Sequence, residues 1–157
     1  MIRPAHAPGR RVTPSWGRLP GMAQGDTGTH PARWAVEQHA ARWNARDRES
    51  WLSLYSDDVV FEDPVGKAPK HGRQAAEGSW DNSLRDGREW TLVPQRIITG
   101  GNEAVVLMRN EGLVDGVEAV VEGVEVWKVD DEGRVVHVRA FFEQPEEIEL
   151  DPFFQPD

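Results

Sequence analysis

The chain has 157 residues and no cysteine, which allows one domain with a real core but excludes a disulfide framework and thiolate chemistry. No stretch reaches the roughly 18 apolar residues of a membrane span. A net charge of −9 argues against nucleic acid and membranes as partners, and the absence of cysteine fits a cytoplasmic protein.

Residues 1–30 predict a disordered N-terminal tail. They contain nine glycines or prolines, show no apolar periodicity, and lack the apolar stretch of a secretory signal. They hold four arginines and one acid, so residues 31–157 carry a net charge of −12.

Three helices are expected next. Apolar side chains and one histidine recur at helical spacing over residues 31–46, namely Val36, His39, Ala40 and Trp43. Asp47 can cap a short second helix whose inner side carries Trp51, Leu52 and Tyr55. Residues 58–62 predict a strand, and Gly72 precedes a third helix over about 73–85 that contains Ala75, Ala76 and Trp80.

Strands follow, near residues 89–98, 103–113, 117–129 and 134–143, separated by glycine-containing turns. Helices followed by a meander predict an α+β domain over residues 31–145, with a cone-shaped, curved antiparallel sheet wrapped around the N-terminal helices and enclosing one cavity. Residues 146–157 form an acidic tail whose Phe153-Phe154 pair could fold over the cavity mouth.

Asp63 ends the β-branched and aromatic run Val59-Val60-Phe61-Glu62 and is followed by Pro64, Val65 and Gly66. Apolar neighbours suggest a dry setting, where a carboxylate binds protons more tightly and suits a general base. The alternative is ordinary turn chemistry at a strand end.

Glu125 falls on the less polar face of the strand over 117–129, together with Ala119, Val121, Gly123, Trp127 and Val129. A buried acid that keeps its proton can donate a hydrogen bond to a developing oxyanion. Alternatively the strand is flipped, or Glu125 pairs with Arg109 or Arg139.

The chain has seven tryptophans against one tyrosine, and several of these wide, flat side chains could line an apolar pocket. A core that is rich in tryptophan explains the same count. His39 lies on the apolar face of the first helix, where a core histidine is usually satisfied by a backbone carbonyl. It becomes a site candidate if it shares a cavity with Asp63 and Glu125.

Over residues 33–145 the chain resembles the nuclear transport factor 2-like (SnoaL-like) superfamily, and within it the steroid Δ5-isomerase, or ketosteroid isomerase, group. The stretches that carry the resemblance are Trp43 to Asp47, Leu54 to Asp58, Glu62 to Gly66 and Val135 to Phe142.

The resemblance implies roles for particular residues. Asp63 matches the catalytic base, which moves a proton between the carbons that flank a dienolate. Glu125 falls at the position of a protonated aspartate and His39 at the position of a tyrosine, the two groups that hold the enolate oxygen in these isomerases. Tyr55 matches a supporting tyrosine that could orient His39. The predicted substrate contacts are Tyr55, Trp80, Trp90, Trp127 and Phe142, and neither a metal nor an organic cofactor is implied.

The sequence therefore favours an isomerase that shifts a double bond in a hydrophobic polycyclic or terpenoid ketone. Three alternatives stay open: an epoxide hydrolase or epoxide-opening cyclase that pairs Asp63 with Glu125 or Glu89, a SnoaL-like polyketide cyclase, and a non-catalytic protein that binds a small hydrophobic molecule. A homodimer is expected through the outer sheet face, where Val120, Val124 and Val126 would otherwise be exposed.

Overall fold

The computed structural model of the protein describes residues 28–145. Three helices are present, as predicted: α1 (Pro31–Asn44), α2 (Arg48–Leu52) and α3 (Gly72–Ser83). The His30 side chain caps α1 by accepting from the backbone N–H of Ala32, and Asp47 caps α2 by accepting from that of Ser50.

Six strands form one curved, unclosed sheet. They are β1 (Tyr55–Glu62), β2 (Lys70–His71), β3 (Arg88–Gly100), β4 (Glu103–Val114), β5 (Val117–Val129) and β6 (Val135–Phe142), in the spatial order β2-β1-β6-β5-β4-β3. All neighbours are antiparallel except β1 and β6, which run parallel. The predicted α+β class with a curved sheet on N-terminal helices is confirmed.

Two details of the sheet differ from the prediction. β1 begins at Tyr55 rather than at residue 58, so Tyr55 belongs to a strand and not to the inner side of α2. The two-residue strand β2 was not predicted, because so short a segment has no periodicity to detect.

The core lies between the helices and the concave face of the sheet, and tryptophans dominate it. The rings of Trp43, Trp51 and Trp80 contact one another with centroids 4.9 to 5.3 Å apart. Trp90 lies over Gly112 of β4, where an added Cβ would come within 2.5 Å of the indole. Gly112 therefore gives this ring its place on the sheet.

The predicted N-terminal tail, apart from residues 28–30, and the predicted acidic tail over 146–157 with its Phe153-Phe154 pair lie outside the described residues. Within residues 28–145, no helix is long and apolar enough to cross a membrane.

Candidate active site

Asp63 and Glu125 face one cavity and lie in one row across the sheet. Glu125 of β5 pairs with Ala140 of β6, and Ala140 lies next to Asp63 because Glu62 pairs with Arg139 in the parallel ladder. Two strand spacings of about 4.8 Å each separate the backbones of the two acids. Both side chains line the cavity, and the small, buried Ala140 between them leaves room for the carboxyl groups to share it.

Glu125 occupies the inward position that strand alternation predicted. Burial raises the pKa of its carboxyl from 4.5 to about 7, although the indole N–H of Trp127 donates to Oε2 at 2.6 Å and opposes the shift. The arginines that were alternative partners bind elsewhere: Arg109 pairs with Glu111 and Glu122, and Arg139 with Glu62. The Glu125 carboxyl is therefore a candidate hydrogen-bond donor near neutral pH.

His39 is held by two donors at the same ring nitrogen. The indole N–H of Trp51 donates to Nδ1 at 2.9 Å, and the Tyr55 hydroxyl lies 2.9 Å from the same atom. An indole nitrogen can only donate, so Nδ1 must be unprotonated and Nε2 carries the ring proton. Burial lowers the pKa of His39 from 6.5 to about 3. The imidazole is thus neutral, and its remaining polar group is an N–H donor.

Tyr55 is also buried and uncharged. Desolvation raises the pKa of its phenol well above 10, and the carboxylates of Glu125 and Asp63 raise it further. That both acids act on Tyr55 agrees with the three groups sharing one cavity. Because Nδ1 of His39 has a single lone pair, Tyr55 and Trp51 can only share it.

The cavity has a volume of about 130 Å³. Four of the five predicted substrate contacts line it: Tyr55, Trp90, Trp127 and Phe142. Trp80 does not; its ring packs against Trp43 and Trp51, which themselves line the cavity. Glu89 does not line the cavity either; it is exposed and pairs with Arg46, so an acid pair of Asp63 and Glu89 is wrong.

Several cavity residues were missed by sequence reasoning. They include Phe61, Ser79, Asn82, Ser83, Arg88 and Asn110. The spacing of Ser79, Asn82 and Ser83 places them on one face of α3, and three small polar side chains at that spacing were the available signal. Among the described residues, no three His, Asp or Glu side chains are grouped as metal ligands.

A family model for the SnoaL-like domain matches residues 36–138. The chain belongs to the SnoaL-like family. Its fold is accordingly that of the nuclear transport factor 2-like proteins, as the resemblance implied.

Several solved structures are similar to this chain in sequence and fold. The chain is 26% identical to RV0760c from Mycobacterium tuberculosis in complex with estradiol-17beta-hemisuccinate, with a TM-score of 0.66 and coverage of 73% of this chain and 95% of that chain. It is 25% identical to a Δ5-3-ketosteroid isomerase from Mycobacterium sp., with a TM-score of 0.64 and coverage of 73% and 95%. A computationally designed 17-OHP binder is also 25% identical, with a TM-score of 0.65 and the same coverage.

The shifted pKa values of Glu125 and His39 in this SnoaL-like domain make opposite contributions to stability. The pKa of Glu125 is raised, so its contribution is complete below pH 4.5 and is lost as pH rises through about 7. The pKa of His39 is lowered, so its contribution is complete above pH 6.5 and is lost as pH falls toward 3. Between pH 4.5 and 6.5 the two slopes oppose each other.

When one of the two groups is removed, the free energy of unfolding should change with pH as the remaining group dictates. In Glu125→Gln, the free energy of unfolding should rise with pH more steeply than in the wild type, by up to about 1.4 kcal/mol per pH unit. In His39→Gln, it should instead fall more steeply. Denaturant titrations at pH 4.5, 5.5 and 6.5 measure both slopes, and Glu122→Gln on the outer face is the control. Slopes parallel to that of the wild type would show that neither group titrates as described.

Proposed function

We propose that the protein is a cofactor-independent isomerase that shifts a double bond in a hydrophobic ketone of the steroid kind. The observation that carries this proposal is the pair of acids in one row across the sheet, Asp63 beside the turn and Glu125 with a pKa of about 7, over the small side chain of Ala140. Such a pair places a base and a proton donor on one substrate.

In this mechanism Asp63 removes the proton from the carbon alpha to the carbonyl. Negative charge then develops on the carbonyl oxygen, which accepts hydrogen bonds from the protonated Glu125, the Tyr55 hydroxyl and Nε2–H of His39. While Trp51 keeps the lone pair of Nδ1, the Tyr55 hydroxyl can turn toward the substrate oxygen. Asp63 finally returns its proton to a second carbon, so that the double bond moves and no atom is lost.

The wall of the cavity supports this chemistry. Donors that are fixed before reaction in a water-poor site stabilise developing charge more strongly than water does. Trp90, Trp127 and Phe142 offer flat apolar surface to fused rings. The named steroid ligands and activity of the 25–26% identical relatives agree with a ligand of this class.

The direct test is turnover of a Δ5-3-ketosteroid, followed by the ultraviolet absorbance of the conjugated enone. We expect turnover by the wild type without any added metal or cofactor. Saturable binding of the steroid without enone formation would contradict the isomerase and favour a binding protein. Hydrolysis of an epoxide in place of isomerisation would favour the epoxide-opening alternative.

We also propose that the protein is a homodimer formed through the outer face of the sheet. The register places Val105 beside Val126 and Leu107 beside Val124, and Val124 beside Phe141. Ile98 of β3 pairs with Val105, so this apolar patch crosses four adjacent strands, and its exposed members are Ile98, Val105, Leu107 and Phe141. Contiguous exposed apolar surface of this kind marks an interaction site. Val120, which was also predicted as a dimer contact, is exposed but lies outside this patch.

Leu107→Glu should therefore convert the dimer into a monomer, because the partner would bury an unpaired charge. Light scattering of the full chain should give twice 17.7 kDa for the wild type and 17.7 kDa for the variant. Trp34→Glu replaces another exposed apolar side chain, on α1, and should leave the mass unchanged. A wild-type mass of 17.7 kDa at every concentration would refute the dimer.

A further inference from the structure

The cavity has a second polar region that the proposed mechanism does not use. Five polar side chains from α3, β3 and β4 line it, and we call them the distal polar wall: Ser79, Asn82, Ser83, Arg88 and Asn110. The three α3 residues are buried although they are polar. Polar side chains placed in a largely aromatic cavity are the groups that orient a ligand.

The distal polar wall is well separated from the two acids. Glu125 pairs with Val106 of β4, whereas Asn110 lies four residues further along the same strand, opposite Val121. At about 3.3 Å per residue this is a separation of roughly 13 Å along the sheet. A ligand that reaches both ends is therefore elongated, with one polar group at each end.

In the distal polar wall, Nε of Arg88 and Oδ1 of Asn110 are buried without a hydrogen-bond partner among residues 28–145. Buried polar atoms are nearly always hydrogen-bonded, because leaving them unpaired costs free energy. The Arg88 nitrogen is a donor and the Asn110 oxygen is an acceptor. The wall thus requires one group that accepts and one that donates.

We propose that the distal polar wall binds a hydroxyl group at the far end of a polycyclic ligand. A hydroxyl both donates and accepts, which matches Asn110 and Arg88 together. A ketone accepts only and leaves Asn110 unpaired, and a carboxylate places negative charge near the oxygen of Asn110. The inference rests on the proposed function, which orients the ligand so that its reacting end lies at Asp63 and Glu125.

A series of steroids that share one phenol and differ at the far end tests this. The probes are estradiol, which carries a far hydroxyl, estrone, which carries a ketone, 17-deoxyestradiol, which carries hydrogen, and estradiol-17β-hemisuccinate, which carries a carboxylate. Calorimetric titration of the full wild-type chain should show estradiol binding about tenfold more tightly than 17-deoxyestradiol, the size expected for a buried hydrogen bond to a charged partner. Estrone should bind with an intermediate affinity.

Two variants locate the effect. Asn110→Leu and Arg88→Met keep side-chain size while removing the acceptor and the donor, and each should reduce the tenfold preference to about threefold or less. Neither should weaken the binding of 17-deoxyestradiol, which makes no hydrogen bond to either side chain. Arg85→Met is the matched control, because the Arg85 side chain acts on Arg88 through its charge and does not line the cavity, and the Arg85 carbonyl that accepts from the Arg88 backbone N–H is kept. It should keep the full preference.

Three results would overturn the inference. Equal binding of estradiol and 17-deoxyestradiol by the wild type would show that no hydroxyl site exists, and this comparison needs no variant to fold. Tightest binding of the hemisuccinate, lost in Arg88→Met, would make the wall a carboxylate site. Weaker binding of 17-deoxyestradiol to Asn110→Leu would place the phenol at the wall. A preference for estradiol without any turnover of a Δ5-3-ketosteroid would refute the isomerase and leave the distal site standing.

Discussion

Replacing Asp63 with asparagine should lower kcat for a Δ5-3-ketosteroid by about 10²- to 10⁴-fold, the usual contribution of a positioned general base. The amide has the size of the carboxylate but cannot accept the proton from carbon. Because the mechanism places the loss in the chemical step, the affinity for a non-reacting steroid such as estradiol should change little. Steady-state kinetics and calorimetric titration measure the two quantities separately.

Glu62→Gln is the matched control for this variant. Glu62 precedes Asp63 in sequence but pairs with His137 and Arg139 of β6 and does not line the cavity. Its replacement should leave kcat within a few-fold of the wild type. Thermal melts should show that both variants are folded. If Asp63→Asn turned over the substrate at near the wild-type rate, Asp63 would not be the base.

The second large effect concerns the proton on Glu125. Glu125→Gln should keep kcat within about tenfold of the wild type, because the amide still donates a hydrogen bond. Glu125→Leu should lower kcat by about 10²- to 10³-fold, as expected for deletion of one oxyanion donor. Since the pKa of Glu125 in the ligand-free protein is raised to about 7, wild-type kcat/KM should fall as pH rises through that value. This alkaline decrease should disappear in Glu125→Gln.

The activities of the two Glu125 variants, compared with each other, distinguish three roles of this residue. Equal activity of the Gln and Leu variants would make Glu125 a structural residue. Equal loss of activity would show that an ionised carboxylate is needed and would favour epoxide opening. Glu122→Gln, three residues earlier on the outer face and paired with Arg109, should behave as the wild type in every assay.

Patterns within single elements predicted the class of the fold and the positions of the two acids. The inward position of Glu125 follows from alternation along β5, and the position of Asp63 follows from a strand that ends in a turn. Trp80 was predicted to stack on the substrate together with Trp90 and Trp127, although its ring packs in the core. Helical periodicity identifies a buried face but does not distinguish a core ring from a cavity ring.

The state of His39 could not have been predicted in this way. Its tautomer depends on Trp51, a residue of another helix, presenting an indole N–H to one particular ring nitrogen. The sequence suggested instead that Tyr55 would orient His39, and the structure adds Trp51 as a second partner at the same atom. Hydrogen bonds between elements depend on packing geometry, which no spacing within one element specifies.

The hydrogen bond between Trp51 and His39 makes the protonation of the imidazole sensitive to the packing of α2 against α1. Trp51 lies on α2 and His39 on α1, so a shift that draws α2 away removes the donor that keeps Nδ1 unprotonated. The freed ring then gains access to water and to protons at mildly acidic pH. Nitrogen-15 shifts of this one side chain would therefore register a separation of α2 from α1.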